Sequence, residues 1–356
     1  MMELHRGQLL GMTKEEILEE MERTKWKKNL KTIVKDWRLY VLLLPMVVFF
    51  FLFRYLPMVG ILIGFRDQGE VAKQSAWDIF YRFDFVGFER VKELIFGAQS
   101  FYFWRAFRNT FVLSLYGLIF GFPMPIILAL LFSEIKNNVY RSVSQIITYL
   151  PKFISTVVIS SMVLKMLSVG LEGQYSDGVL TRLLETIGAI KNSDKSIVQQ
   201  PQYFRAVYQI SGIWEGTGYG SIVYFAAIMS ISPTNYEAAR IDGANKLQQI
   251  RHITLPGVAP TLTIMLILRI GDILNVGYEK VILLVGDTGS DQNPIMETAQ
   301  VISTYVYYST TGATGGAAKG ANNRAAIADL FNALIAMCLV LGSNFISRRV
   351  SNTSLF

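Results

Sequence analysis

The sequence predicts an all-α, polytopic membrane protein with about six transmembrane helices and both termini in the cytoplasm. Three observations carry that expectation. Of the 356 residues, 51% are hydrophobic and only 17% are charged, whereas soluble domains average about 25% charged. Several apolar runs reach roughly 20 residues, the length a helix rising ~1.5 Å per residue needs to cross a ~30 Å hydrocarbon core. The formal net charge of +7 reads as the basic flanks of cytoplasmic segments and not as a nucleic-acid footprint, so no nucleic-acid partner is expected.

Residues 1–37 form a polar extension ahead of the apolar part. Thr13-Lys14-Glu15-Glu16 fits a capping box at a helix start. Lys25, Lys27, Lys28, Lys31, Lys35 and Arg38 crowd the approach to the first apolar run, and Trp26, Leu30, Ile33 and Trp37 share one helical stripe. Two readings stand side by side: a basic amphipathic helix lying on membrane lipid, or a solvated helix with an aromatic core contact. The first apolar run is too long for a signal peptide and is expected to remain as the first span.

Residues 38–356 form the transmembrane domain. Six apolar spans are expected near 39–60, 109–132, 146–169, 207–231, 262–285 and 325–346. An even number of spans returns the C-terminus to the side of the N-terminus. Lys136 and Arg141 after the second span, and Arg348 and Arg349 after the last, agree with both termini being inside. The loops at 61–108, 170–204 and 309–324 then lie outside. The third is rich in Gly and Ala, and residues 295–308 before it suit a short amphipathic helix at the membrane surface. The lone Cys338 lies in an apolar run and is expected to pack inside. His5 and His252, the only histidines, are far apart, so no metal site is expected.

The inside loop at 232–257 is the most informative segment. Ser232-Pro233-Thr234-Asn235 is a turn sequence that ends one helix and starts the next. Tyr236, Glu237, Ala238 and Ala239 begin a short helix whose alanines leave a smooth face. Asp242-Gly243 permits a sharp bend, because glycine tolerates positive φ. A second helical piece follows to Ile253, and Leu255-Pro256 is expected to break it and turn the chain into the fifth span. The product is a helix–bend–helix shelf joined to two spans.

This pattern resembles a known family. Glu-Ala-Ala, three residues, Gly, nine residues, Ile-x-Leu-Pro is the signature of permeases in binding-protein-dependent ABC importers, and it stands here as Glu237-Ala238-Ala239, Gly243 and Ile253-Thr254-Leu255-Pro256. Tyr236 to Ala244 is similar to the carbohydrate branch. Ile270 to Lys280, and the ending from Ser347 to Phe356, resemble the subgroup importing complex or polymeric carbohydrates. The resemblance implies a MetI-like permease fold and a second homologous permease subunit. It further implies two cytoplasmic ATPase subunits that bind ATP and Mg, and an extracytoplasmic solute-binding protein. The loop would dock on the ATPase through Tyr236, Glu237, Ala238, Ala239, Asp242, Gly243, Ile253, Leu255 and Pro256. No cofactor is expected on this chain, and no catalytic residue. Residues 312–319, with several glycines and a lysine, miss the spacing of a phosphate-binding loop.

The spans hold the candidates for a substrate path. Arg269, Asp272, Asn275 and Glu279 of the fifth span are expected to share about one third of the helix circumference at roughly 100° per residue. Charges at bilayer depth are expensive, so this stripe should face a path or a partner. An Arg269–Asp272 pair that merely holds helices together is the competing reading. Span four opens with four glycines between Gly212 and Gly220, and Trp214, Thr217, Tyr219 and Tyr224 add the aromatic and hydroxyl groups that suit sugars. Interfacial anchoring and close helix packing would explain the same residues. Asn332 in span six is a weaker candidate. An ion-gradient-driven secondary transporter, coupled through Asp272, Glu279 and Asp329, is the alternative from another class.

Overall fold

The computed structural model describes residues 35–65, 85–98, 100–169, 178–190, 196–286, 293–311 and 321–350. The Thr13 capping box, most of the N-terminal aromatic stripe, and residues 312–320 of the Gly/Ala-rich loop lie outside the described residues. The described residues are mostly helical and form no strand. They contain four helices long and apolar enough to cross a membrane, or five if one bent pair counts as a single span.

The chain divides into two compact units, Met1–Ile61 and Leu62–Phe356. The first carries most of α1 (Trp37–Phe65), an apolar helix with Pro45 inside it. The second unit contains α2 (Glu89–Phe96), α3 (Ser100–Glu134), α4 (Asn138–Phe153), α5 (Thr156–Met166), α6 (Val179–Thr186) and α7 (Pro201–Met229). It continues with α8 (Pro233–Ile241), α9 (Lys246–Gly271), α10 (Tyr278–Val285), α11 (Met296–Ala299), α12 (Ile302–Thr311) and α13 (Ala321–Val350).

Three long helices carry a π turn immediately before an X-Pro dipeptide. The turns are Phe51–Tyr55 ahead of Leu56-Pro57, Gly117–Gly121 ahead of Phe122-Pro123, and Ile250–Thr254 ahead of Leu255-Pro256. In each, the residue before proline donates its N–H five residues back: Leu56 to Phe51, Phe122 to Gly117, Leu255 to Ile250. A proline ring clashes with the carbonyl four residues earlier and offers no N–H of its own. Widening one turn relieves the clash while the helix goes on. Leu255-Pro256 therefore does not break the chain, contrary to expectation, and α9 runs unbroken from Lys246 to Gly271.

Further expectations are corrected. The expected fourth span falls within α7, 29 residues long, enough for a crossing at ~1.5 Å per residue, but α7 is not among the helices apolar enough to cross a membrane. The third is bent by 97° between α4 and α5, where Pro151 and the Ser155 N-cap part the two helices. The fifth stops at Gly271, where a Cβ would meet Val340 Cγ2 of α13 at 2.9 Å; turns at Asp272–Asn275 follow before α10. Residues 295–308 form two helices packed in the core, with Met296, Ala299, Val301, Ile302 and Tyr305 all buried. Cys338 is exposed on α13.

Side chains of α3 hold the α11–α12 break open. Asn109, fully buried, donates to the carbonyls of Glu297 (2.8 Å) and Gln300 (3.0 Å) and accepts from Arg205 (2.9 Å). Thr110 Oγ1 accepts from the Ile302 N–H at 2.9 Å. These bonds satisfy backbone groups that a broken helix leaves unpaired in the interior. One apolar cluster joins α10, α11 and the start of α7 around Phe204, and a second joins α2, α3, α12 and α13 around Phe103. A third joins α3, α7 and α9 around Tyr224 and Val258.

Candidate functional site: a charged cavity and a helical shelf

A cavity of about 670 Å³ opens between the middle of α3, the middle of α7 and the end of α9. Glycine makes the room. Gly117 and Gly121 of α3 and Gly212 and Gly216 of α7 all line it. The glycines of α7 divide by role. A Cβ at Gly216 would meet nothing within 4 Å, so that position looks onto open space. A Cβ at Gly218 would lie 1.9 Å from the Thr148 carbonyl oxygen, so there glycine permits the crossing of α4 and α7. Gly220 packs on Pro125, at 3.2 Å from a Cβ to its ring.

Five charged side chains line the cavity: Lys152, Glu215, Arg269, Asp272 and Lys280. Two of them sit where helices are interrupted. Lys152 lies in the last turn of α4, at the bend into α5, and Lys280 lies in the first turn of α10, after the break that follows Gly271. Glu215, from the continuous α7, bridges both: Oε1 to Lys152 Nζ at 3.2 Å and Oε2 to Lys280 Nζ at 3.3 Å. The Lys280 side chain is 11% exposed and Glu215 15%, against 46% for Lys152. Lys280 also lies over the Tyr208 ring, 5.5 Å from its centroid. One carboxylate thus ties together two places where irregular backbone lines a cavity.

Of the residues expected on a path, Thr217, Tyr224 and Asp272 line this cavity. Trp214 and Tyr219 do not; they are 45% and 49% exposed, and Tyr219 meets Phe153 edge to face. Asn275 and Glu279 fall beyond the end of α9, in the break and on α10. The single stripe with Arg269 and Asp272 therefore does not form, because the helical period stops at Gly271. Asn332 donates to the Leu274 carbonyl at 3.3 Å across from that break. No ion pair joins Arg269 to Asp272 among the described residues. Sequence reasoning did not select Lys152, Tyr208, Gln209, Glu215 or Lys280. A carboxylate inside a Gly-rich span was the available signal for Glu215.

The shelf at 232–257 takes the expected helix–bend–helix form. Pro233 starts α8, without a side-chain cap from Ser232. Gly243 makes the bend at φ +79°, a value an L side chain adopts only under strain. Asn245 and Gln248 then form a reciprocal capping box at the start of α9. Tyr236 is fastened to Thr254 by a 3.0 Å hydroxyl–hydroxyl bond, and Lys246 to Glu134 of α3 at 2.5 Å. A groove of about 270 Å³ lies behind α8, lined by Glu134, Tyr236, Glu237, Arg240 and Thr254 among others. Glu237, Ala238, Asp242 and Pro256 are exposed, Leu255 marginally so, and Ala239 and Ile253 half-buried. Ile241 and Leu247 flank the bend with 87% and 74% of their surface open.

Comparison with known proteins gives the chain's family. Residues 121–352 match the model of the binding-protein-dependent transport system inner membrane component family. Protein LplB of Bacillus subtilis (strain 168) is 33% identical over 331 residues, covering 93% of this chain and 94% of LplB. The polygalacturonan/rhamnogalacturonan transport system permease protein YteP of the same organism is 31% identical over 94% of this chain and 95% of its own length. A crystal structure of a bacterial ABC transporter involved in the import of the acidic polysaccharide alginate contains a chain 40% identical to this one. It aligns with a TM-score of 0.75 over 91% of this chain and 99% of that one. The same holds for that transporter in complex with an alginate pentasaccharide-bound periplasmic protein. With a family model matching well over half its length, the chain belongs to the inner membrane components of binding-protein-dependent transport systems.

Proposed function

We propose that the chain carries oligosaccharides or polysaccharide fragments across the inner membrane by alternating access, through the cavity between α3, α7 and α9. As a permease subunit of an ABC importer, like its relatives, it is a transport component and not an enzyme. That membership decides against the ion-gradient reading. The relatives named for polygalacturonan, rhamnogalacturonan and alginate support a glycan cargo. The partners in this reading are a second homologous permease, two ATPase subunits holding ATP and Mg, an extracytoplasmic binding protein, and membrane lipid.

The observation that carries the mechanism is the continuity of α9. Its first turn belongs to the shelf, and its last turns supply Met265, Leu268 and Arg269 to the cavity wall. A push on the shelf by an ATPase moves that wall as one body. Only a differential interaction with the two states can shift their populations, and the open apolar surfaces of Ile241 and Leu247 give an ATPase cleft something to hold. Gly243→Pro, which forces φ near −65° where +79° is required, is expected to abolish uptake while membrane insertion stays intact. Glu237→Lys, on the exposed face of α8, is expected to do the same. Uptake by the reconstituted importer and co-purification of the ATPase are the measurements; normal transport by either variant refutes docking through this loop.

A further inference from the structure

We infer that the cationic wall of the cavity is a subsite for carboxylates, so that the path is built for acidic glycans, sugars bearing uronate groups. This inference rests on the reading of the cavity as the path. Three cations, Lys152, Arg269 and Lys280, face it with two carboxylates, Glu215 and Asp272. The two lysines share Glu215. Arg269 is exposed to the cavity, and among the described residues it makes no hydrogen bond and no ion pair, even though Asp272 stands three positions on.

An arginine near the end of a spanning helix that pairs with no carboxylate among the described residues calls for one from elsewhere. Its planar fork matches a carboxylate with two parallel N–H···O bonds. The surroundings suit a sugar ring that carries such a group. Tyr208, Gln209, Thr217 and Tyr224 line the same wall. Glu215, held between the lysines, is an internal stand-in for a second cargo carboxylate, placed so that an incoming acid competes with it for Lys280. A path for neutral sugars needs hydroxyls and amides; an excess of cations would be a desolvation burden there.

The carboxylate that meets Arg269 could come from cargo or from the second permease, and the test separates the two. The assembled importer, purified in detergent without its binding protein, is titrated with tetragalacturonate and with its fully methyl-esterified form. We expect the acid to bind about ten-fold or more tightly than the ester, with a preference that shrinks as salt rises. Arg269→Gln is expected to bring the acid-to-ester ratio close to one, with Arg269→Lys recovering part of it. Equal affinity for acid and ester, binding of neither probe, or an unchanged ratio in Arg269→Gln overturns the inference. A fall in the assembly's dissociation temperature with that unchanged ratio assigns Arg269 to the second permease instead. Gly216→Trp, which fills the cavity from open space, checks the underlying reading by uptake. If it transports normally, the cavity is not the path. If it blocks uptake while Arg269→Gln leaves the ratio unchanged, only the carboxylate inference fails.

Discussion

Two glycines two residues apart on α7 should respond in opposite directions to the same substitution. At Gly218, a Cβ would lie 1.9 Å from the Thr148 carbonyl oxygen, 2.4 Å from its carbon and 3.0 Å from the Tyr149 nitrogen. All three are backbone atoms of α4, so no side chain can swing aside. Reaching ordinary contact at 3.4 Å requires the two helices to part by about 1.5 Å, in a bundle where α7 is the element that α3, α4 and α9 pack against. Overpacking costs about 1–3 kcal/mol, and the rigidity of the neighbour puts this case at the upper end. The higher helix propensity of alanine returns up to about 1 kcal/mol, for a net loss of about 2 kcal/mol. At Gly216 there is nothing within 4 Å, so Gly216→Ala keeps the propensity gain alone. Thermal unfolding of the purified importer reads both variants. Gly218→Ala should unfold earlier than the parent, and Gly216→Ala at the same temperature or later. Equal stability of the two variants, in either direction, would refute the assignment of one glycine to packing and the other to the cavity.

Glu215→Gln should cost about 3 kcal/mol, because it leaves the well-buried Lys280 without its carboxylate. Lys152→Gln should cost under about 1 kcal/mol, since that lysine is 46% exposed; chemical denaturation compares the two, and a larger loss for Lys152→Gln would invert the reasoning. Asn109→Leu removes the donor to the Glu297 and Gln300 carbonyls and the acceptor of Arg205. It should cost at least about 3 kcal/mol and raise proteolytic cleavage near residues 297–301, whereas unchanged cleavage would mean the α11–α12 break holds without α3.

The long apolar runs and the shelf were legible because their causes are local. Four of the six expected spans overlap a helix that qualifies on its own, the fifth only over 262–271, and the shelf bend depends on Gly243 and on the Asn245–Gln248 capping box within a few residues of it. The helix interruptions were not legible in the same way. At Gly271, where α9 ends, the missing side chain leaves room for Val340, and the Gln300 carbonyl beyond α11 is bonded by Asn109, 191 residues away. A hydropathy window runs straight through both, since apolar residues continue on the far side. The expected stripe of Arg269, Asp272, Asn275 and Glu279 failed for this reason: it extended a 3.6-residue period across a break that only tertiary packing reveals. The Lys152–Glu215–Lys280 bridge was hidden likewise, because its members are 63 and 65 residues apart.

Leu255-Pro256 is where local and tertiary logic diverge with the largest consequence for the mechanism. Proline alone argues for a break, and a break there would hinge the shelf against the spanning helix. The π turn at Ile250–Thr254 lets the Leu255 N–H reach Ile250 instead, so the ladder shifts by one residue and the helix continues. A helix running from Lys246 to Arg269 spans about 35 Å at ~1.5 Å per residue, and a stiff rod of that length turns a tilt at the shelf into a displacement at the cavity wall. A hinge at Pro256 would instead absorb the same tilt before it reached Arg269. The family signature in this loop ends on the proline, and the physical role that fits it here is to fix where the widened turn sits, not to end the helix. The two other π turns, each placed ahead of Pro57 and Pro123, follow the same rule. The one in α3 is itself in the cavity wall, at Gly117 and Gly121.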